Sequence, residues 1–70
     1  MNLRDLEYLV AVADHGSFRR AAAACGVSQP ALSTQVRKLE ADLGAVLIDR
    51  ASSPLRPTPV GEEVVRRARR

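Results

Sequence analysis

Residues 18–39 read FRRAAAACGVSQPALSTQVRKL, and this stretch decides the fold. Ala22 is small enough to let two helices approach closely, and Gly26 supplies the positive φ that a tight turn needs. Val27 fills the corner between the two helices, as a bihelical unit requires. The spacing predicts a helix over about 18–25, a glycine turn and a second helix. An ordinary helical hairpin in a small bundle is the alternative explanation of the pattern.

The helix after the turn is the most regular amphipathic segment of the chain. Ser28 is a suitable N-cap, Pro30 falls in the first turn, where a missing amide costs nothing, and Gly44 ends the helix. Its apolar residues recur at intervals of three and four and fall in one narrow sector: Leu32, Val36, Leu39 and Leu43. The opposite sector is short, polar and cationic: Pro30, Thr34, Arg37 and Lys38, with Ser33 at its edge.

The charges of this helix are ordered along its length. The acids Glu40 and Asp42 come only after Lys38. An element that enters a major groove needs small hydrogen-bonding side chains at its tip, followed by cations that reach the phosphates. A merely solvated face more often mixes glutamate and lysine throughout. The order of charges therefore favours binding to double-stranded DNA.

Two helices precede this one. Asn2 and Gly16 bound a first helix over about 3–15, and Ser17 caps the second. The apolar stripe of the first helix is Leu3, Leu6, Val10 and Ala13, widened by Tyr8, Leu9 and Val12. The inward face of the second helix is predicted to hold Phe18, Ala21, Ala22 and Cys25.

The C-terminal part predicts a small hairpin and a last helix. Short stretches of mixed apolar and polar residues over about 46–50 and 55–58 flank a turn and predict two short, edge-like strands. Thr58 caps a helix that begins near Pro59. Its apolar residues lie four apart: Val60, Val64 and Ala68. Since this stripe has too little partner surface within 70 residues, we expect either a longer protein or a second subunit to cover it.

The order of elements is that of a winged helix-turn-helix. The predicted fold is mainly α, with a three-helix core and a small two-stranded β-wing. Residues 1–58 would form this domain, and residues 59–70 the start of a linker helix that mediates dimerisation.

Composition excludes several classes of protein. Seventy residues suffice for one small domain. The single cysteine, Cys25, excludes an intrachain disulfide, which indicates a reducing compartment, and one cysteine with one histidine cannot form a structural zinc site. The longest apolar run, residues 8–13, is too short to span a bilayer, and the acids before it oppose the charge of a secretory leader. We expect a cytoplasmic domain with no metal, cofactor or membrane association.

Basic charge grows toward the C-terminus. The net charge is +3, and ten of the eleven basic residues are arginine. Residues 1–18 carry one arginine against three acids, whereas residues 50–70 carry six arginines against two glutamates. Clustered arginine in a chain with a pI near 10.0 is typical of nucleic-acid binding, because the guanidinium contacts phosphate and guanine in a bidentate manner.

These residues resemble a known family. The motif runs from Phe18 to Arg50 and includes Ala21-Ala22, Val27-Ser28-Gln29-Pro30-Ala31-Leu32-Ser33, Leu39-Glu40, Leu43-Gly44 and Leu47-Ile48. It resembles the N-terminal DNA-binding domain of LysR-type transcriptional regulators over nearly the whole chain. Residues 2–10, Cys25 and residues 36–40 are similar in particular to the OxyR-like, peroxide-sensing branch. Ile48 departs from the usual phenylalanine, a change that affects packing rather than chemistry.

The resemblance implies partners for the chain. It implies a dyad-symmetric operator in double-stranded DNA and a homodimer joined through the helix that begins near Thr58, weakened here because that helix is cut short. It also implies a C-terminal effector domain with the redox cysteines, and it leaves room for contact with RNA polymerase in the full-length protein. Cys25 is then a small buried hydrophobe rather than the sensor.

The start of the recognition helix is assigned to direct contacts. Ser28 caps the helix, and the neighbouring amides can receive a phosphate at its positive end. Gln29 is suited to adenine edges, and Pro30 or Ala31 to a thymine methyl group.

The next turns of the helix follow the same logic. Ser33 and Thr34 are candidates for hydrogen bonds to bases or to phosphates, two roles that the sequence does not separate. Arg37 and Lys38 are expected to anchor backbone phosphates.

The wing and the first helix supply the remaining candidates. Arg50, Ser52, Ser53 and Arg56 lie near the hairpin tip, where one of the two arginines could enter a narrowed minor groove. The alternative for Arg50 is a salt bridge to the body of the domain. Arg4 is assigned to the DNA backbone by the resemblance, with pairing to nearby acids as the alternative.

A winged-helix module for protein–protein interaction is the competing function. It would need large apolar or aromatic anchors outside the core, and the two aromatic residues, Tyr8 and Phe18, are both assigned inward. An enzyme is not expected, since His15 has no nucleophile or carboxylate at a recognisable spacing.

Overall fold

The structure, a computed structural model, describes residues 2–69. Arg70, which the sequence assigns to the last helix, lies outside the described residues. The elements in chain order are α1 (Leu3–His15), α2 (Phe18–Cys25), α3 (Gln29–Leu43), β1 (Ile48–Asp49), β2 (Arg56–Pro57) and α4 (Pro59–Ala68). The two strands are antiparallel. The three-helix core and the two-stranded wing predicted from the sequence are confirmed.

Polar caps set the starts of the helices. The side chain of Asn2 accepts the amide of Asp5 at 3.0 Å, and the Asp5 carboxylate accepts the amide of Asn2 in return. The hydroxyl of Ser17 accepts the amide of Arg20 at 3.2 Å. These bonds satisfy amides that the first turn of a helix leaves without partners, so local sequence alone decides where α1 and α2 begin.

One hydrophobic core joins all the helices to the first strand. Its members are at most 6 % exposed: Leu9, Val12, Ala21, Ala22, Leu32, Val36, Leu39, Leu47, Ile48 and Val65. Removing each large side chain from water contributes about 1.5–3 kcal/mol, which is why α3, with three residues in this core, is held firmly against α1 and α2.

The predicted inward stripe of α1 is wrong in part. Leu9 and Val12 are fully buried, whereas Leu3 is 70 % exposed and Leu6 and Val10 are only half-buried. Two apolar stripes run along α1, and α2 and α3 cover the one that contains Leu9 and Val12. The other stripe is only partly covered, and Leu3 at its start is exposed.

The core contacts of α4 are made mainly by residues outside the valine–alanine stripe seen in the sequence. The buried residues are Gly61 and Val65, while Val60 is 50 % exposed. Gly61 lies directly against the backbone of Leu47, so that a Cβ atom built on it would be 2.0 Å from the Leu47 carbonyl oxygen. The close approach turns Gly61 and Val65 inward and leaves Val60 exposed, while Val64 packs only partly against the core.

Two further residues are less enclosed than predicted. Leu43, in the last turn of α3, is 40 % exposed. Cys25 is half-buried rather than buried, because it lies at the end of α2. Within residues 2–69, every helix is too short or too polar to cross a membrane.

Candidate nucleic-acid interface

The turn between α2 and α3 presents the start of α3 to solvent. Gly26 adopts a left-handed conformation with φ 71°, and the amide of Val27 donates to the carbonyl oxygen of Ala22 at 3.0 Å. Ala21 and Ala22 are buried, so the two helices meet at small side chains. Directly after this contact the chain reaches the surface, where Ser28 is exposed.

The outward side of α3 is open along its first three turns. Its exposed residues are Gln29, Pro30, Ala31, Thr34, Arg37 and Lys38. Ser33 is half-buried at the edge of this surface. Leu32 and Val36 are buried on the other side of the same turns. The side predicted to face a groove is therefore free of contacts that would bury it.

The first turn of α3 is exposed and capped by Ser28. The hydroxyl of Ser28 accepts the amide of Ala31 at 3.2 Å, and the Ser28 carbonyl accepts the amide of Leu32 at 3.1 Å. The helix dipole adds a partial positive charge at this end. An exposed, capped helix N-terminus of this kind favours a phosphate group.

Hydrogen bonds shape the wing around its turn. The Ser52 hydroxyl donates to the carbonyl oxygen of Asp49 at 2.9 Å and accepts the amide of Arg56 at 3.1 Å. The amide of Leu55 donates to the carbonyl oxygen of Gly16 at 2.9 Å, which ties the returning strand to the α1–α2 turn. Ser52 therefore has a structural role at the base of the tip, and Ser53 and Arg56 are the exposed candidates.

Arg50 adopts the alternative that sequence reasoning left open. Its Nη1 donates to Oε1 of Glu40 at 2.9 Å, and its guanidinium carbon lies 5.2 Å from the centroid of the Phe18 ring. The Arg50 side chain is 26 % exposed. The salt bridge to the body of the domain is thus present, and any contact of Arg50 with DNA stays a prediction.

Glu40 is the residue that sequence reasoning missed. Its second carboxylate oxygen accepts the amides of Leu47 and Ile48, at 2.7 and 3.3 Å. Burial raises the pKa of Glu40, but the Leu47 amide, Arg50 and the Ile48 amide more than offset this effect, so the pKa lies below its usual value. Glu40 therefore holds the start of β1 against α3 as a carboxylate.

The cations of the described residues fall into two groups. The first group forms salt bridges: Arg50 with Glu40, Arg66 and Arg67 with Glu63, and Arg69 with Asp14. The second group has no salt bridge to any residue in 2–69: Arg4, Arg19, Arg20, Arg37, Lys38 and Arg56. Pairing of Arg4 with nearby acids, the alternative for that residue, is thus not seen there. The second group is exposed, and its charges remain available to phosphates.

Comparison with protein families gives a match over most of the chain. Residues 3–62 match the model described as bacterial regulatory helix-turn-helix protein, lysR family. Among curated proteins, the DNA-binding transcriptional dual regulator OxyR of Escherichia coli K12 is 56 % identical over 69 residues. The alignment covers 99 % of this chain and 23 % of that regulator, so the chain spans about a quarter of the length of the relative.

Solved structures with the same fold include a DNA complex. The DNA-binding domain of BenM, in complex with benA site 1 DNA, superposes with a TM-score of 0.94 at 43 % identity, covering 97 % of this chain and 76 % of that one. A full-length OxyR variant from Pseudomonas aeruginosa gives a TM-score of 0.92 at 48 % identity, covering 99 % of this chain and 23 % of that one.

Proposed function

Because the chain belongs to the lysR family of bacterial helix-turn-helix regulatory proteins, we propose that it binds double-stranded DNA in a sequence-specific manner. In this function α3 enters the major groove and the wing points toward the minor groove. Family membership and the DNA complex of the similar BenM domain support the function. The resemblance noted in the sequence is confirmed.

The outward side of α3 carries this proposal. It combines a capped, exposed N-terminus with Arg37 and Lys38, which are exposed and form no salt bridge with any residue in 2–69. A protein-interaction surface would instead offer large apolar anchors. Tyr8 and Phe18 are half-buried and pack against the core, so they offer no such anchor.

A titration at several salt concentrations tests the proposal. The chain is added to a fluorescent pool of random duplexes, and anisotropy gives the dependence of log K on log salt. Since each phosphate contact contributes about −0.9 to this slope, Arg37→Ala should make it less steep by about one unit. Arg67→Ala removes the same charge from a residue paired with Glu63 on α4 and should leave the slope unchanged. Wild-type chain without salt-dependent binding would overturn the function, and an unchanged slope for Arg37→Ala would remove Arg37 from the interface.

Direct readout of bases has a separate signature. We assign base contacts to Gln29 and Ser33, and replacing either residue should change the preferred bases in a selection from the pool. An equal loss of affinity for all duplexes would show that these residues contact only the backbone.

A homodimer would cover the exposed apolar side chains of α1 and α4. On α4, Val60 is 50 % exposed and Val64 is half-buried, and Ala68 lines the same shallow groove as Leu3 on α1. A second copy that covers these side chains would shield exposed apolar surface and place two recognition helices on a dyad-symmetric site. Sedimentation equilibrium should show weak self-association that Leu3→Ser reduces. A chain that stays monomeric at high concentration, both free and on DNA, would contradict the dimer.

Regulation by peroxide belongs to the proposal for the whole protein. Curated relatives such as that of Pectobacterium carotovorum are named hydrogen peroxide-inducible genes activators, and the chain covers 23 % of that protein. We assign residues 59–70 to the linker helix of such a regulator, which would act in the cytoplasm. These relatives are regulators, and we expect no enzymatic activity in this domain.

A further inference from the structure

The two arginines of the wing have different surroundings. Arg50 is bound to Glu40 and lies over Phe18, and its second terminal nitrogen, Nη2, is buried without a hydrogen-bond partner among the described residues. Arg56 is exposed and forms no salt bridge in residues 2–69. A phosphate could approach Arg56 without breaking a contact, whereas it could reach Nη2 of Arg50 only after the side chain moved.

Three elements meet at the carboxylate of Glu40. It belongs to α3, it accepts the amides of Leu47 and Ile48 at the start of β1, and it accepts Arg50 directly after β1. Phe18, under the guanidinium, is the first residue of α2. We call Phe18, Glu40 and Arg50 the wing clamp. The Glu40 side chain is only 12 % exposed, so moving Arg50 away would leave a largely enclosed carboxylate without its counter-charge.

The rest of the wing is too short to fix its own direction. Each strand has two residues, and their pairing covers only Ile48 with Pro57 and Asp49 with Arg56. A two-stranded ribbon of this size is not rigid by itself. Its angle to α3 therefore depends on contacts with the body of the domain, and the wing clamp adds a polar contact to the apolar packing of Ile48 between β1 and the recognition helix.

We propose that the wing clamp positions the wing relative to α3, and that Arg56 rather than Arg50 is the wing cation that contacts the DNA backbone. This inference rests on the proposed DNA binding. It makes Arg50 a positioning residue, which acts on affinity through the direction of the wing, and Arg56 a contact residue, which acts through charge.

Salt dependence separates the two roles. The duplex is one recovered from the random pool by selection with the wild-type chain. Arg56→Gln should make the salt slope less steep by about one unit with an unchanged melting temperature, since the residue is exposed. Arg50→Gln combined with Glu40→Gln replaces the ion pair by two neutral amides. That double variant should bind several-fold more weakly than wild type while it keeps the wild-type slope.

The single variants complete a double-mutant cycle. With positioning by the clamp, Glu40→Gln and Arg50→Gln each weaken binding, and their effects are not additive because each breaks the same contact. If Arg50 contacts DNA instead, Arg50→Gln lowers the slope by about one unit whether or not Glu40 is present, and this result overturns the inference.

Because Arg56 is exposed, the Arg56→Gln variant keeps the inference testable even if a variant of the wing clamp fails to fold. An unchanged slope for Arg56→Gln would by itself overturn the assignment of the contact. Failure of the proposed function looks different, because then the wild-type chain would show no salt-dependent binding to any duplex.

Discussion

Replacement of Gly61 by alanine tests how α4 is attached to the winged helix. A Cβ atom at this position would lie 2.0 Å from the carbonyl oxygen and 2.9 Å from the carbonyl carbon of Leu47. Both distances are below any ordinary contact, and the obstacle is backbone rather than a flexible side chain. The first turn of α4 would therefore have to move away from Leu47 by about 1 Å, a shift that well-packed interiors resist.

The free energy of unfolding lost on Gly61→Ala can be estimated from the hydrogen bonds that attach the start of α4 to residues 46–47. The amide of Thr58 donates to the Leu47 carbonyl at 2.9 Å, and the Thr58 hydroxyl donates to the Val46 carbonyl at 2.6 Å. Losing two hydrogen bonds costs about 2 kcal/mol, and overpacking adds about 2 kcal/mol. The better helix propensity of alanine returns about 1 kcal/mol. The net loss of about 3 kcal/mol corresponds to a melting temperature lower by roughly 12–24 °C for a domain of this size.

Thermal unfolding followed by far-ultraviolet circular dichroism measures this loss. Glu62→Ala, at the neighbouring exposed position, is the matched control and should change the melting temperature by only a few degrees. Helix propensity alone predicts the opposite sign for Gly61→Ala, a small stabilisation. A Gly61→Ala variant as stable as wild type would therefore refute the close attachment of α4 to Leu47.

Three further predictions concern α3 and its cap. Leu39→Ala should cost about 2–5 kcal/mol in urea unfolding, while Leu43→Ala, at a position 40 % exposed, should cost much less; equal losses would contradict the burial. The lowered pKa of Glu40 stabilises the fold above pH 4.5, its ordinary value, and this contribution disappears as the pH falls through the lowered pKa. Glu40→Gln should therefore be less stable than wild type at pH 7, and this difference in the free energy of unfolding should disappear below pH 4.5. A difference that does not change with pH would be evidence that Glu40 does not stabilise the fold as a carboxylate. Ser28→Asp should keep the melting temperature, since aspartate is an equally good cap, but should weaken binding to all duplexes about tenfold by repelling phosphate; unchanged affinity would place the phosphate elsewhere.

Local rules predicted the elements of this fold well. The caps Asn2, Ser17 and Ser28 and the turn at Gly26 depend on residues within a few positions of each other, and each helix begins and ends where those signals lie. The outward side of α3 follows from the same periodicity, because only one of its faces is apolar. This is why the central part of the candidate interface could be predicted from the sequence.

Which face of α1 and of α4 is buried depends on more than the local sequence pattern. α1 has two apolar stripes, and nothing within it distinguishes the side with Leu9 from the side with Leu3. In α4 the valine stripe outweighs Gly61 as a hydrophobic signal, yet the missing side chain of Gly61 allows the close approach to Leu47. Which stripe is buried is decided by packing between distant segments.

The roles of Glu40 and Arg50 could not be predicted for a similar reason. Their partners lie across the loop between α3 and β1, seven to ten residues away from Glu40, a separation without helical or strand periodicity. From the sequence Glu40 is only the first acid after the cations of α3. The fold converts it into the residue that joins the recognition helix to the wing.

A crosslink between α3 and the bases would test the central claim most directly. A short photoactivatable group is attached to a thiol introduced by Thr34→Cys, in a chain where Cys25→Ser removes the native thiol, and the same group on Ala41→Cys is the control at an exposed position of the same helix. With the chain bound to a selected duplex, we predict crosslinks from position 34 to bases of the major groove and none from position 41. Crosslinks of equal yield from both positions, or none from position 34 while the duplex is bound, would contradict the placement of α3 in the groove.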